Sequence, residues 1–360
     1  MPSTFRLAAL MAGCALAAAA CSKGEDKAEA PPPAAAGAQQ PKAAPAANGR
    51  SPLAQAVEAA GPQDAPPADP SMIAPSLVRV QVLLDRARFS PGSIDGVTGT
   101  NLRLAIEAFQ QARGLTVDGQ VTPDLWKALI EADGGPVLTD YVITPEDVKG
   151  PFVKSIPKDD YEAMAKLPAL SYTGPLEALA ERFHMDEALL QALNPGADFT
   201  KAGAKIAVVA LGPAELPARV TRIEIDKGVG QVRAFDAQDV LQAVYPATVG
   251  STERPAPSGE LAVNTVAPRP TYTYDPSRLT FGKPKGKLTI KAGPNNPVGG
   301  TWIDLTKDTY GIHGTPDPKL VNKRASHGCV RLTNWDAAQL GKAVEKGAKV
   351  VFMGEEARAG

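Results

Sequence analysis

The sequence predicts a multidomain chain: a mostly-β domain preceded by a three-helix unit and a small α+β module. Three observations carry that expectation. Apolar residues recur at helical spacing three times between residues 77 and 132. From Pro217 onward that periodicity nearly disappears, and short apolar runs parted by Gly and Pro turns replace it. Ahead of both lies an Ala- and Pro-rich stretch with no apolar periodicity. A length of 360 residues suits two or three domains, and 34 prolines against 5% aromatic residues place part of that length outside any packed core. The formal net charge of −1 speaks against a nucleic-acid partner. Three cysteines exclude a disulfide scaffold, and three histidines make a closed structural zinc site hard to assemble.

In chain order, Arg6 precedes the uncharged run Leu7 to Ala20, and the charges Lys23, Glu25, Asp26 and Lys27 follow. A helix of that run reaches about 21 Å, short of the roughly 30 Å hydrocarbon core, so residues 1–20 read as a secretory signal peptide. Ala18-Ala19-Ala20-Cys21-Ser22 resembles a bacterial lipobox, in which Cys21 becomes the lipidated first residue. Cys14 is a competing site that leaves a shorter hydrophobic region, and plain cleavage after Ala20 is the alternative to both. Ser22, rather than Asp, after the cysteine favours an outer-membrane, periplasm-facing anchor. Residues 21–75 are expected to be a tether: eleven prolines fall between Glu29 and Pro75. A coil of that length reaches roughly 40 Å on average.

Residues 76–135 form the helical unit, with stripes Leu77/Val80/Leu84/Ala87, Leu102/Ala105/Ile106/Phe109 and Leu125/Trp126/Leu129/Ile130. Thr122-Pro123 starts the third helix with a cap and a first-turn proline. Ile94-Asp95-Gly96 and Val117-Asp118-Gly119 repeat at an interval of 23 residues, each an Asp-Gly turn. With Ala108-Phe109-Gln110 and Gly114-Leu115-Thr116, this unit resembles the bacterial peptidoglycan-binding domain. Residues 137–212 carry two short helical stripes, a stop at Asn194-Pro195-Gly196 and a strand at Ile206 to Ala210. Leu179-Ala180-Glu181-Arg182-Phe183, Leu193-Asn194-Pro195 and Lys205-Ile206-Ala207-Val208 resemble a LysM module, which implies glycan binding. Thr173-Gly174-Pro175-Leu176 stands where that family carries Gly-Asp/Glu-Thr-Leu. His184 reads as a partly exposed residue capping the first of these helices.

Strand-like runs follow at Val220 to Ile225, Val240 to Val249, Leu288 to Lys291, Trp302 to Leu305 and Lys349 to Met353. One helix interrupts them, with Thr333 and Asp336 as a capping box and Leu340 and Val344 inward. The remaining histidines and the last cysteine lie in this region, in Gly311-Ile312-His313-Gly314 and Ser326-His327-Gly328-Cys329-Val330-Arg331. A thiol is a strong nucleophile only as thiolate, and histidine titrates near working pH, so this grouping suits acyl transfer through a thioester. Gly314 and Gly328 permit close backbone approach to the base and to a developing oxyanion. The duller readings are an inert buried cysteine, a zinc site lacking a fourth ligand, and a structural role for His327. Arg331 serves equally as a structural contact, and Trp302 and Tyr310 read more readily as packing than as groove lining.

His313, thirteen positions before Ser326-His327-Gly328-Cys329-Val330-Arg331, matches the signature of the YkuD-type L,D-transpeptidases, as do Pro257-Ser258-Gly259 and Gly293-Pro294-Asn295-Asn296-Pro297-Val298-Gly299. The resemblance covers residues 217–353. It implies a catalytic fold rich in β-structure and no cofactor. Cys329 is then the nucleophile on a tetrapeptide stem of peptidoglycan, with D-alanine expelled, and His313 is the proton acceptor and donor, held by Gly314. His327 and Gly328 stabilise the tetrahedral intermediate, and Ser326 and Arg331 contact substrate. The product is a 3,3 crosslink. Water or another amine as acceptor, giving a carboxypeptidase, a hydrolase or a lipoprotein-attaching enzyme, and an inactive wall-binding lipoprotein are the alternatives.

Overall fold

The structure, a computed structural model, describes residues 49–64, 69–250, 255–277, 286–323 and 328–355. Cys14, Cys21, Ser326 and His327 lie outside the described residues. Four helices come first: α1 (Pro52–Ala59), α2 (Pro75–Arg86), α3 (Thr100–Ala112) and α4 (Pro123–Asp133). Helix α1 corrects the expectation of a tether over its residues. Ser51 Oγ accepts from Ala54 N at 3.2 Å, Pro52 sits where its missing N–H costs nothing, and Ala54 and Val57 are fully buried. Arg50 anchors the helix by pairing with Glu58 at 3.2 Å and with Asp140 at 3.1 Å. Counting prolines conceals such a helix, because proline at the first helical position is compatible with it.

The expected stripes of α2 and α3 are buried or half-buried, and Leu125, Trp126 and Leu129 of α4 are buried, but Ile130 is 43% exposed and leaves the third stripe. The Asp-Gly repeat is a repeat of structure. Gln81 Nε2 donates to Asp95 Oδ1 at 2.8 Å, and its Oε1 accepts from the Asp95 and Gly96 amides at 3.2 and 2.7 Å. Gln110 makes the same three bonds to Asp118 and Gly119, at 2.7, 3.1 and 3.0 Å. Each glutamine clamps one turn, and Gly96 and Gly119 take the left-handed φ of +73° and +66° that the turn requires.

Next come β1 (Leu138–Val142), α5 (Pro145–Lys149), α6 (Tyr161–Lys166), α7 (Pro175–Arg182), α8 (Glu187–Leu193) and β2 (Lys205–Val209), with β1 and β2 antiparallel. A single apolar core runs from Ala54 through α2–α4 to α7, α8 and Val209, so the two segments expected as separate modules pack as one body. His184 follows α7 with φ +58°, its Nδ1 3.1 Å from Asp85 and its ring stacked 5.0 Å from Trp335. That corrects the expectation of a simple cap: His184 joins α2 to the downstream domain.

The downstream domain holds β3 (Val220–Asp226), β4 (Gln231–Phe235), β5 (Leu241–Pro246), β6 (Thr248–Val249), β7 (Gly259–Pro268), β8 (Tyr272–Tyr274), β9 (Leu288–Ile290), β10 (Thr301–Leu305), β11 (Gly311–His313), β12 (Val330–Arg331), α9 (Asn334–Ala343) and β13 (Val344–Met353). Nine strands form one sheet in the order β5-β4-β3-β13-β7-β10-β11-β12-β6. Only Ala247 separates β5 from β6, so the two ends of the sheet must meet and the sheet curls on itself around its own core. The outer edge of β5 is met by a bridge from Phe89, with Ser90 N donating to Val244 O at 2.9 Å, which pairs an edge that otherwise faces solvent. Helix α6 packs on the separate β8–β9 pair, where Met164 of the helix, Leu170 beyond it and Ile290 of β9 share one small core.

Helix α9 is capped by Thr333 Oγ1, which accepts from Asp336 N at 3.1 Å. The Asp336 carboxyl turns to the upstream body, where Ser90 Oγ donates to it at 3.0 Å, and burial pushes it up to about 7. Val344 is buried as expected, but as the first residue of β13.

Gln81 is 2% exposed, so Gln81→Ala strands the Asp95 and Gly96 amides without their acceptor. The expected loss is about 2–4 kcal/mol in urea denaturation followed by circular dichroism. A loss under about 0.5 kcal/mol would show that the clamp contributes nothing.

Candidate active site

The site is built on two short neighbouring strands. β11 and β12 pair in parallel, Ile312 opposite Val330 and His313 opposite Arg331. Ile312 and Val330 are buried in the sheet's core, so alternation turns His313 and Arg331 to the other face. Cys329 directly precedes β12, where the Gly311 backbone hydrogen-bonds its sulfur.

His313 is 3% exposed. Its Nδ1 lies 2.7 Å from the Gly314 carbonyl oxygen, which can only accept, so Nδ1 carries the proton and Nε2 is the basic nitrogen. The Trp302 indole, on the residue opposite in β10, stacks on the imidazole with centroids 5.4 Å apart and 20° between planes. Trp302 therefore packs, as expected, but against the base itself. Burial first, and the Arg331 charge second, push the imidazole down to about 3, while the Gly314 hydrogen bond acts in the opposite direction.

Cys329 is partly exposed, and its thiol lies 3.6 Å from the Thr309 carbonyl. Burial of the sulfur pushes the thiol up. A hydrogen bond from the Gly311 backbone and the positive charge of Arg331 draw it down. These directions favour the thiol form of Cys329 and the neutral form of the His313 ring. Arg331 is half-buried, and the groups acting on it are Cys329, Tyr161, Tyr272 and Asp317. Tyr161 comes from α6, outside the β domain, and stacks on Tyr274 at 4.9 Å. Burial raises Tyr272 well above the ordinary phenol range. Nothing in the sequence pattern marked Tyr161 or Tyr272 for this place; both lie in short segments that carry no motif.

The glycines of the motif have steric causes. A side chain on Gly311 would strike the Trp302 indole, and one on Gly314 would strike Asn334. Gly328, at φ +106°, lies against Tyr310. Asn334 is the residue that sequence reasoning missed. Its Oδ1 accepts from Gly300 N at 3.0 Å and Thr315 N at 3.2 Å, which holds the segment after His313. Its position directly after the cap Thr333 was the available signal, since a polar side chain at a buried helix start has backbone amides to serve. Among the described residues, no three His, Cys, Asp or Glu side chains converge as metal ligands.

Residues 220–352 match the model of YkuD, the L,D-transpeptidase catalytic domain, and residues 74–129 match the "Putative peptidoglycan binding domain". The chain is 29% identical over 176 residues to "Putative L,D-transpeptidase YkuD" of Bacillus licheniformis, covering 49% of this chain and 91% of that protein. It is 30% identical over 192 residues to "Probable L,D-transpeptidase ErfK/SrfK" of Escherichia coli, covering 50% of this chain and 60% of that one. L,D-transpeptidase 3 of Mycobacterium tuberculosis, solved with a faropenem-derived adduct, aligns at 15% identity and a TM-score of 0.32 over 42% of this chain and 75% of that chain.

A raised thiol and a neutral imidazole predict how Cys329 is alkylated. Its rate with iodoacetamide, read by intact mass against pH, is expected to rise in one step centred above the ordinary thiol range. A rate already at its plateau at pH 5 to 6 would instead reveal a preformed thiolate–imidazolium pair.

Proposed function

From a chain that carries a YkuD-type catalytic domain and a peptidoglycan-binding domain, we propose a peptidoglycan L,D-transpeptidase that forms 3,3 crosslinks through a thioester on Cys329. The observation that carries the reading is the pairing of β11, which ends on His313, with β12, which follows Cys329 directly, and the fixing of the imidazole by Gly314.

In the first half-reaction Cys329 Sγ attacks the carbonyl carbon of the diaminopimelate residue in a tetrapeptide stem. The thiol proton passes to Nε2 of His313, the one ring nitrogen left to accept it. The bond from carbonyl carbon to the nitrogen of terminal D-alanine breaks, and the imidazolium returns its proton to that amine. In the second, an amine of a neighbouring stem attacks the thioester, gives its proton to His313, and the sulfur leaves as thiolate to be reprotonated. Arg331 draws the Cys329 thiol toward the thiolate and disfavours the imidazolium of His313, so its charge eases loss of the thiol proton and keeps the ring free to accept one. The amides around Gly328 and Cys329, with His327, serve the developing oxyanion in this reading. Ser326 and Arg331 meet the donor stem.

The same proposal takes in the rest of the chain. The antiparallel pairing of β1 with β2, and the helices α7 and α8 that lead into β2, support a LysM-like role in holding glycan. In this reading that segment works with the helical domain at residues 74–129 to hold the chain on the wall. Cys21 is the lipid anchor, and the periplasm, with the outer membrane as the anchoring layer, is the compartment.

Incubation of the purified protein with disaccharide tetrapeptide, read by mass spectrometry, is expected to give free D-alanine and a dimer joined between diaminopimelate residues. Cys329→Ala is expected to give neither, with turnover down at least a thousandfold. Tripeptide without dimer would reassign the chain as a carboxypeptidase.

A further inference from the structure

The mechanism leaves one buried carboxyl unused. Glu181 lies in α7 and is 8% exposed, with no cation paired to it among the described ion pairs. Among the described residues its Oε1 has no hydrogen-bond partner, its neighbours Glu177 and Glu187 are also carboxyl residues, and burial pushes it up to about 8. Holding a carboxyl there is costly, and an apolar side chain would fill the space at less expense. Its Oε2 accepts from Asn334 Nδ2 at 2.9 Å, with the Tyr172 hydroxyl more distant at 3.4 Å.

Asn334 is the residue whose other amide atom holds the loop of the base. Nδ2 also donates to Pro294 O at 3.1 Å, while Oδ1 takes the amides of Gly300 and Thr315. Gly299 and Gly314 lie so close to Asn334 that neither has room for a side chain. A turn of the asparagine therefore displaces the Gly314–Thr315 backbone, and with it the carbonyl that sets the imidazole plane. Near a reacting centre, a 1 Å displacement can cost about a hundredfold in rate. A second link runs beside the first, with Asn295 Nδ2 donating to Glu177 Oε1 at 2.7 Å.

We propose that Glu181, a residue of the upstream body and not of the catalytic domain, is a positioning residue for the catalytic base, acting through Asn334. The inference rests on reading His313 as that base. It assigns the upstream body a part in setting the reaction as well as in binding the wall.

Glu181→Met keeps the volume and discards the acceptor, and Glu181→Gln keeps an oxygen for Asn334. In the tetrapeptide assay the methionine variant is expected to lose at least tenfold in kcat with KM within twofold and a thermal midpoint unchanged or raised. The glutamine variant is expected within threefold of wild type. In an Asn334→Ala background, Glu181→Met is expected to add less than a twofold further loss. Unchanged kcat in the methionine variant, or a fall of kcat and thermal midpoint together, would overturn the proposal. Glu181→Ala serves if the methionine variant does not fold, and unfolding of both would assign Glu181 a structural role and overturn it too. The ¹⁵N shifts of the His313 ring report its tautomer without any substrate. A wild-type chain that turns over no tetrapeptide would sink the transpeptidase reading, while those shifts would still decide whether Glu181 positions the imidazole.

Discussion

The hydrogen bond from His313 Nδ1 to the Gly314 carbonyl is the constraint on which the site depends. It assigns the tautomer and leaves Nε2 as the basic nitrogen, on a strand paired with the one that follows Cys329. Each neighbouring feature protects it. Trp302 lies flat on the ring, Gly311 and Gly314 make room for Trp302 and Asn334, and Asn334 grips the chain on both sides of the carbonyl's loop. Burial keeps the ring neutral, which a general base requires before it takes the thiol's proton.

The same burial gives the fold opposing responses to pH. His313 is held below its ordinary value, so the unfolded chain takes up its proton first as pH falls, and stability is lost from about 6.5 toward 3. Asp336 and Glu181 are held above theirs, so the folded chain keeps those protons longer, and their contribution fades as pH rises toward about 7 and about 8. Both carboxyls stand where the upstream body meets α9. The junction and the base therefore titrate in opposite senses over overlapping ranges of pH.

Much of this was legible in the sequence because it rests on local rules. Three amphipathic stripes, the Thr122-Pro123 start and the Asp-Gly repeat needed only helical periodicity and turn chemistry. Cys329 and His313 stood out because a chain with so few cysteines and histidines placed three of them within seventeen residues. What escaped was set by contacts distant in sequence. Gln81 and Gln110 sit in helices whose stripes revealed nothing of the turns they clamp. Glu181 and Asn334 are 153 residues apart, and no spacing rule joins them. Short strands such as β11 and β12 carry too few residues to show alternation, and their place in the sheet comes from pairing. Helix α1 was hidden by the proline count of its surroundings, and His184 and Trp335 meet only because the upstream body docks on the β domain.

The most direct test of the account is the protonation of His313 in the resting protein. With three histidines in the chain, ¹⁵N spectra of the imidazoles can be assigned by single His→Gln variants and followed from pH 4 to pH 8. The account predicts one ring that stays neutral across that range, protonated on the nitrogen facing Gly314. An imidazolium signal for His313 at pH 7, or a neutral ring protonated on Nε2, would contradict it.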